Sequence, residues 1–224
     1  FELIAGKSPY KSPTDMGVNM AGNCIVDDEV CREASRNEII RRYFKALCDH
    51  KTGMNVDSEI FKLELLLNQA GLAVGDRAVE KQAHAVAERT GGAPAAAIEL
   101  PDGTVVTGKN GPLLGAASSA LLNALKKLAG IDHELPLISP SALEPIQKLK
   151  TMYFGSRNPR LHTDETLIAL SISASTNPAA QKALDAMPKL RNCQLHCSNR
   201  LSKVDLVTLR KLGLQVTMEP VHER

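Results

Sequence analysis

The chain has 224 residues, 43% hydrophobic and 23% charged, the balance of an ordinary globular protein and enough length for two substructures. A net charge of +2 offers neither the basic footprint of a nucleic-acid binder nor a funnel for acidic substrates, and 3% aromatics with no Trp disfavours a base-stacking platform. No apolar run approaches the roughly 20 residues of a membrane helix, so neither nucleic acid nor membrane is an expected partner.

Five cysteines, at 24, 31, 48, 193 and 197, are an odd and scattered set. They suit reduced thiols in a cytoplasm better than a disulfide framework. The chain opens at Phe1 with neither an initiator Met nor a signal peptide, which reads as a fragment or processed product of a cytoplasmic protein.

Taken in order, residues 1–26 are punctuated by Pro9, Pro13 and Gly17 and read as a loop. Asp27-Asp28 caps a helix to about Cys48 with an apolar face of Val30, Ile39, Ile40, Tyr43, Phe44 and Leu47. Asp57 is placed to cap a second helix carrying Ile60, Leu63, Leu66, Leu67 and Ala70, which Gly71 stops. A third starts at Asp76, uses Val79, Ala83 and Val86, and breaks at Gly91-Gly92. The first two form a helical hairpin, and the third enters an α/β layer.

The centre of the chain is Ala95–Leu128. Residues 95–100 and 104–109 are rich in small or β-branched types, and Asp102-Gly103 supplies the positive-φ step of a hairpin turn. From Pro112 onward, Leu114, Leu121, Leu125 and Leu128 share a helical face with Ala117 and Ala124, and Gly130 closes the helix. Beyond it come a short strand over Leu135–Ile138, a helix capped by Ser139 whose Pro145 belongs in its first turn, and a polar loop GSRNPRLH at 155–162. Asp164 then opens the helix Glu165–Ala174, and Asn177-Pro178 starts another that ends near Pro188. Cys193–Cys197 is a strand, Ser202 caps Lys203–Leu212, and Leu214–Met218 is the last strand. Strand, helix, strand implies a right-handed parallel crossover. The fold class expected is α/β: a helical subdomain over 1–75, then a layered domain with a mixed sheet over 76–224.

Chemistry is harder to read. Gly6-Lys7-Ser8 lacks the glycine that a Walker loop needs five residues earlier, where Phe1 stands. The loop is nonetheless dense in polar groups: Lys7, Ser8, Tyr10, Lys11, Ser12, Thr14, Asp15 and Asn19 fall on a backbone kinked by prolines. Such a stretch suits a fixed ligand-facing loop, although a solvated Ser-Pro linker has the same composition. The second loop, with Ser156, Arg157, Asn158, Arg160 and His162, can present bidentate arginines to a phosphate or carboxylate, or spend them on Asp164 and Glu165.

No metal site is expected. Cys193-x-x-His196-Cys197 on a strand puts both sulfurs on one face and the imidazole on the other, which favours core thiols. His84 reads as a mid-helix histidine without a His or Glu at metal spacing, and HExxH, GxSxG and GxGxxG strings are absent. A hairpin followed by a helix and further strand–helix units also resembles the cytidine-deaminase layer. The zinc strings of such enzymes are missing: the helix opens Gly111-Pro112-Leu113-Leu114-Gly115 and there is no PCxxC.

Several strings, KSPYKSPTDMGVNM (7–20), NEIIRRYFKAL (37–47), LPDGTVVTGK (100–109), GSRNPRLH (155–162) and LRKLGLQVTMEPV (209–221), are similar to the bacterial domain-of-unknown-function family 1846. The resemblance runs over the whole chain and implies members about twice this long, of which this chain resembles the C-terminal half. It further implies a glycine-rich, phosphate-loop-like segment in the absent N-terminal half, so that a nucleotide cofactor would lie largely outside this fragment. A helical subdomain followed by a deaminase-type layer is the fold implied. No catalytic residues carry over.

The function expected is a contribution of polar loops to a site for a phosphorylated small molecule or nucleotide, shared with the chain's own N-terminal half. A non-catalytic module for homo-oligomerisation or scaffolding is the other reading. The ligand-binding residues expected are Lys7, Ser8, Tyr10, Ser12, Thr14, Asp15, Asn19, Ser156, Arg157, Asn158, Arg160 and His162, with Ser12–Asn19 and Ser156–His162 lining one surface.

Overall fold

The computed structural model describes Gly6 and residues 27–221. The polar stretch from Lys7 to Asn19 lies outside the described residues. Helix α1 (Asp28–Lys51) begins where expected, with the Asp27 carboxylate accepting the N–H groups of Glu29 and Val30 at 3.0 Å each. Ile40 and Phe44 are its buried anchors, whereas Val30, on the first turn, is 61% exposed. Helix α2 (Asp57–Gln69) packs on α1 through Leu67. Its N-cap is Val56, and Asp57 is the first helical residue, placing a carboxylate on the positive end rather than at the cap. A 3₁₀ turn (Val74–Asp76), in which Asp76 accepts the Ala73 N–H at 2.8 Å, leads into α3 (Ala78–Arg89).

Strands β1 (Ala95–Glu99) and β2 (Val105–Lys109) pair antiparallel from Ala95 opposite Lys109 to Glu99 opposite Val105. Gly103 at the turn has φ +79°, and the Asp102 carboxylate accepts the Thr104 N–H at 2.9 Å. A β-branched side chain resists that φ. Gly103→Val is expected to cost about 1 kcal/mol or more in urea unfolding, and an unchanged midpoint would refute the strain.

Helix α4 (Ala116–Ala129) then lies back across the hairpin, ending at Gly130 in the left-handed conformation, φ 63°. After it come α5 (Pro140–Lys148), a π-helical turn (Leu149–Tyr153), α6 (Thr163–Ala174), α7 (Pro178–Asp185), a 3₁₀ turn (Met187–Leu190), β3 (Gln194–Cys197), α8 (Lys203–Lys211) and β4 (Gln215–Met218). The protein is mixed α/β: eight α-helices among the described residues and a sheet in the order β2-β1-β3-β4. β1 runs antiparallel to both neighbours, and β3 and β4 are parallel, joined by the α8 crossover.

Besides the Asp57 cap, helix starts shift by a few residues, α3 to Ala78, α4 to Ala116 and α6 to Thr163, and two further details differ from the sequence-based expectation. Leu135–Ile138 forms no strand: Pro136 has no N–H to donate, and the Pro136 and Leu137 carbonyls accept from the Asn177 side chain at 3.3 Å each. In α5 it is Pro140 that occupies the first turn, and Pro145 lies inside the helix.

The period-2 alternation of the strands decides which residues meet which helices. Ala96, Ile98, Leu195 and Cys197 point into the main core with Ala120, Leu121, Ala124 and Leu125 of α4 and with Leu170 of α6. Ala97 points the other way, onto Val79 and Ala83 of α3. His196, opposite Ala97 in the ladder, shares that second face, and its ring lies 4.9 Å from Phe44 of α1. Cys48, Cys193 and Cys197 are buried free thiols and Cys31 is half-buried and free. Burial raises the Cys48 thiol to about 11 and pushes those of Cys193 and Cys197 above the ordinary value, so none of the three is an activated nucleophile. Among the described residues no helix is long and apolar enough to cross a membrane.

Candidate functional site

The GSRNPRLH loop is held in place chiefly by its backbone. Lys150, buried on the π-helical turn, donates to the Arg160 carbonyl and to Glu165, both at 2.7 Å, and Gln147 donates to the Pro159 carbonyl at 3.0 Å. Leu161 then runs beside the entrance to α4. Its N–H donates to Leu113 O at 2.8 Å, while its carbonyl accepts from Gly115 N at 3.3 Å and Ser118 Oγ at 3.1 Å. These bonds set the start of α6 next to the start of α4.

A third helix start joins them. Ser202 caps α8, its Oγ accepting the Asp205 N–H at 3.1 Å. The Asp205 carboxylate reaches across to α6: Oδ1 accepts the Thr163 N–H at 2.7 Å, and Oδ2 lies 2.8 Å from His162 Nδ1 and accepts from Ser202 Oγ at 2.6 Å. Asp205 thereby ties α8 to α6 and fixes the His162 ring.

Between the three helix starts lies a cleft of about 530 Å³. Its walls include Asn110, Ala116, Arg160, His162, Arg200 and Asp205. Asn110 Oδ1 accepts the Ala116 N–H at 2.8 Å. Among the described residues nothing accepts the next two N–H groups of α4, those of Ala117 and Ser118, and both residues line the cleft. The first N–H groups of a helix have no intrahelical partner, and its dipole places partial positive charge there.

The side chains add to that field. The Arg160 guanidinium is anchored through Nε on the Gly111 carbonyl at 2.8 Å. The hydrogen bond to Asp205 raises the His162 pKa above its usual value against the opposing effect of burial, which favours the imidazolium. Asp205 is held below the usual carboxylate range. Its burial works the other way, but the bonds from His162, Ser202 and the Thr163 N–H together outweigh it. Among the described residues that line the cleft, Arg160, Arg200 and His162 are the basic side chains and Asp205, already bonded to His162, Ser202 and the Thr163 N–H, is the one carboxylate.

This is not a serine-hydrolase triad. Ser202 Oγ lies 3.4 Å from Nδ1, the nitrogen that Asp205 also occupies, and donates to Asp205 instead. A nucleophile would sit on Nε2. His162 Nε2 has no partner among the described residues and is the nitrogen a ligand can meet. Another cleft, of about 450 Å³ between α1 and β4, is less suited: of its three arginines Arg41 and Arg42 are committed to Glu38, and its Lys45 pairs with Asp49, leaving Arg210.

Residues 75–224 match the C-terminal, and residues 1–71 the N-terminal, domain of unknown function DUF1846. The chain belongs to the DUF1846 family. A UPF0371 protein of Corynebacterium glutamicum (strain R) is 52% identical over 223 residues, covering 100% of this chain and 45% of that protein. The UPF0371 protein DIP2346 of Corynebacterium diphtheriae (strain ATCC 700971 / NCTC 13129 / Biotype gravis) is likewise 52% identical over 223 residues, with the same coverage. One from Streptococcus pneumoniae serotype 19F (strain G54) is 49% identical over 222 residues, covering 99% of this chain and 45% of its own length.

The chain thus spans less than half the length of these DUF1846 relatives. The expectation that it resembles only the C-terminal half of the family is corrected by the match of residues 1–71 to the N-terminal domain. Of the residues anticipated as ligand-binding, Asn158, Arg160 and His162 line the cleft. Ser156 and Arg157 do not: Ser156 Oγ serves the Asn158 backbone, accepting its N–H at 3.3 Å, and Arg157 is exposed. Lys7, Ser8, Tyr10, Ser12, Thr14, Asp15 and Asn19 lie outside the described residues. Glu165 receives Lys150, not the arginines alone considered for it. Sequence reasoning passed over Asn110, the α4 start, Arg200, Ser202 and Asp205. The uncapped glycine entry to α4 was the one local signal for them.

Proposed function

We propose that this chain binds an anionic small molecule, a phosphorylated ligand or nucleotide, in the cleft at the starts of α4, α6 and α8. The observation that carries the reading is the pair of α4 N–H groups, Ala117 and Ser118, that nothing among the described residues accepts, on residues lining the same cleft as Arg160, Arg200 and His162. Backbone donors and guanidinium groups together recognise a tetrahedral anion, and His162 Nε2–H adds a proton that can be given to one of its oxygens. The deaminase-like layout belongs to the same reading. A helix start faces a cleft behind a hairpin, but it offers backbone N–H groups where a zinc ligand would stand. Because the relatives are more than twice as long, the remainder of the full-length protein is proposed to share the site. The division at residues 75 and 76 is part of the proposal and is supported by the break between the two family matches.

Calorimetric titration of the chain with pyrophosphate, ATP and sulfate tests this. Arg200→Ala is expected to weaken binding by about 1.5–3 kcal/mol, roughly ten- to a hundredfold, with little change in stability. Sulfate, whose charge is constant near neutrality, should bind more weakly as pH rises through the elevated His162 pKa. Affinity that neither Arg200→Ala nor pH alters would refute the site.

The second reading, an interaction or homo-oligomerisation module, is favoured by one observation. Met152 and Tyr153 on the π-helical turn and Phe154 just after it are 69%, 71% and 75% exposed, with Ile168 and Ile172 of α6 also more than half exposed. Sedimentation of the chain, with Phe154→Asp as control, distinguishes it from the first.

A further inference from the structure

On the sheet face opposite the anion cleft, three donor atoms converge that no part of the proposed function uses. His84 Nε2 on α3 lies 3.2 Å from Glu219 Oε1, just past β4, and His196 Nε2 on β3 lies 3.6 Å from the same oxygen. All three atoms fall within 4.8 Å of one another. Donors bound to one ion at about 2.0–2.1 Å in tetrahedral array are separated by roughly 3.3 Å. Two of the three separations already meet that requirement.

The second observation concerns His196. Its side chain is 0% exposed, and Nε2 is a buried nitrogen without a hydrogen-bond partner, aimed at the other two donors. Its other nitrogen is accounted for. The Thr217 hydroxyl donates to the Leu195 carbonyl at 3.1 Å and accepts from Arg77 Nη1, leaving an oxygen lone pair facing His196 Nδ1 at 2.9 Å. Nδ1 therefore carries the proton and Nε2 the lone pair. A buried lone pair turned toward a carboxylate oxygen is repelled unless a cation sits between them. An oriented imidazole whose far nitrogen donates to a fixed oxygen is the usual support of a metal-binding histidine.

We propose that His84, His196 and Glu219 bind one divalent first-row transition-metal ion, zinc by preference. Two imidazoles and one carboxylate favour such ions over magnesium or calcium, which take oxygen shells. The charged groups around the site are Glu219 itself, Glu80 and Arg77. Glu80 Oε1 lies 3.3 Å from His84 Nε2, one turn earlier on α3, but outside the mutual distance of the three donors. It stands ready to accept a hydrogen bond from metal-bound water. Arg77 is turned away onto Thr217 and Gln194. A fourth coordination position is left toward solvent through His84, whose side chain is 40% exposed. The bound ion would pin α3 to β3 and to the end of β4.

The test uses the chain stripped with chelator and kept reduced. Titration with zinc chloride should give one ion per chain and raise the melting temperature. Cobalt(II) should give d–d bands of a nitrogen–oxygen site without thiolate charge transfer. His84→Ala and Glu219→Gln remove partly exposed side chains and should fold, each weakening zinc binding at least tenfold. His196→Ala removes a core ring and is expected to lose folding as well as metal, so the two surface variants decide the matter. Absence of zinc binding, thiolate bands in the cobalt spectrum, or affinity unchanged in both surface variants would overturn the proposal. The last two outcomes place the ion elsewhere, and the first would mean that His196 carries a proton on Nε2 and turns it, not a lone pair, toward Glu219.

Discussion

Gly108→Ala is expected to destabilise the protein by about 3 kcal/mol, at or above the upper end of ordinary overpacking, with the melting temperature falling roughly 6–12 °C. A Cβ at this position would lie 2.1 Å from the Ala120 nitrogen and 2.7 Å from the Ala116 carbonyl oxygen. Both are backbone atoms of α4, so no side-chain rotation relieves the clash. Either the helix lifts from β2 or the strand bends. The close approach also bears on the proposed anion site, because it sets where the α4 start stands against Leu161. The variant should therefore lose anion affinity along with stability, whereas Gly103→Val, at the distant turn, should lose stability alone. Urea unfolding with the same calorimetric titration checks both, and a shift of less than about 1 kcal/mol for Gly108→Ala would contradict the packing described.

The second large effect is expected at Asp205. Asp205→Ala should cost about 3 kcal/mol, because the buried Thr163 N–H loses its acceptor and the bonds to His162 and Ser202 go with it. His162 is 29% exposed, so solvent screens the charge pair and the bond to Thr163 is expected to dominate. The pH dependence has a definite sign. The Asp205 pKa is depressed on folding, so its contribution is present above the unfolded value near ~3.9 and is lost as pH falls through the lower folded value. The His162 pKa is raised, so its contribution is full below ~6.5 and is lost as pH rises through the higher folded value. The difference between wild type and Asp205→Ala should be largest around pH ~5–6 and shrink on the alkaline side. In the variant the His162 resonances should titrate at lower pH, since the bond that raised the pKa is gone. A stability difference that is flat with pH would show that the imidazole takes no part.

Much of the fold was legible because its signals are local. Asp27, Asn177 and Ser202 cap helices by bonding their own next turn, and Asp102-Gly103 turns the hairpin by its own φ and its own side chain. These features depend on neighbours within three residues, which composition and spacing express directly. The strand alternation that buries Cys197 and turns His196 to the other face was likewise readable from a period of two. The expectation that His84 has no Glu at metal spacing is corrected: Glu80 stands one helical turn earlier, its Oε1 3.3 Å from His84 Nε2, a pair that by itself reads as a surface ion pair.

Chain sequence alone determined the helices, the hairpin, the parallel crossover and the family to which the chain belongs. Tertiary structure alone decided the two proposed sites. The anion cleft needs residues near 110–118, 158–162 and 199–205, and the metal site needs 84, 196 and 219. What brings these together is the sheet order β2-β1-β3-β4 and the seating of α4 at Gly108, which depend on packing between segments far apart in the chain. Arg157 and Arg160, three residues apart in one loop, show the difference. They carry the same charge and the same local context, but the Lys150 and Leu161 backbone bonds turn Arg160 toward Gly111 and the cleft and leave Arg157 in solvent.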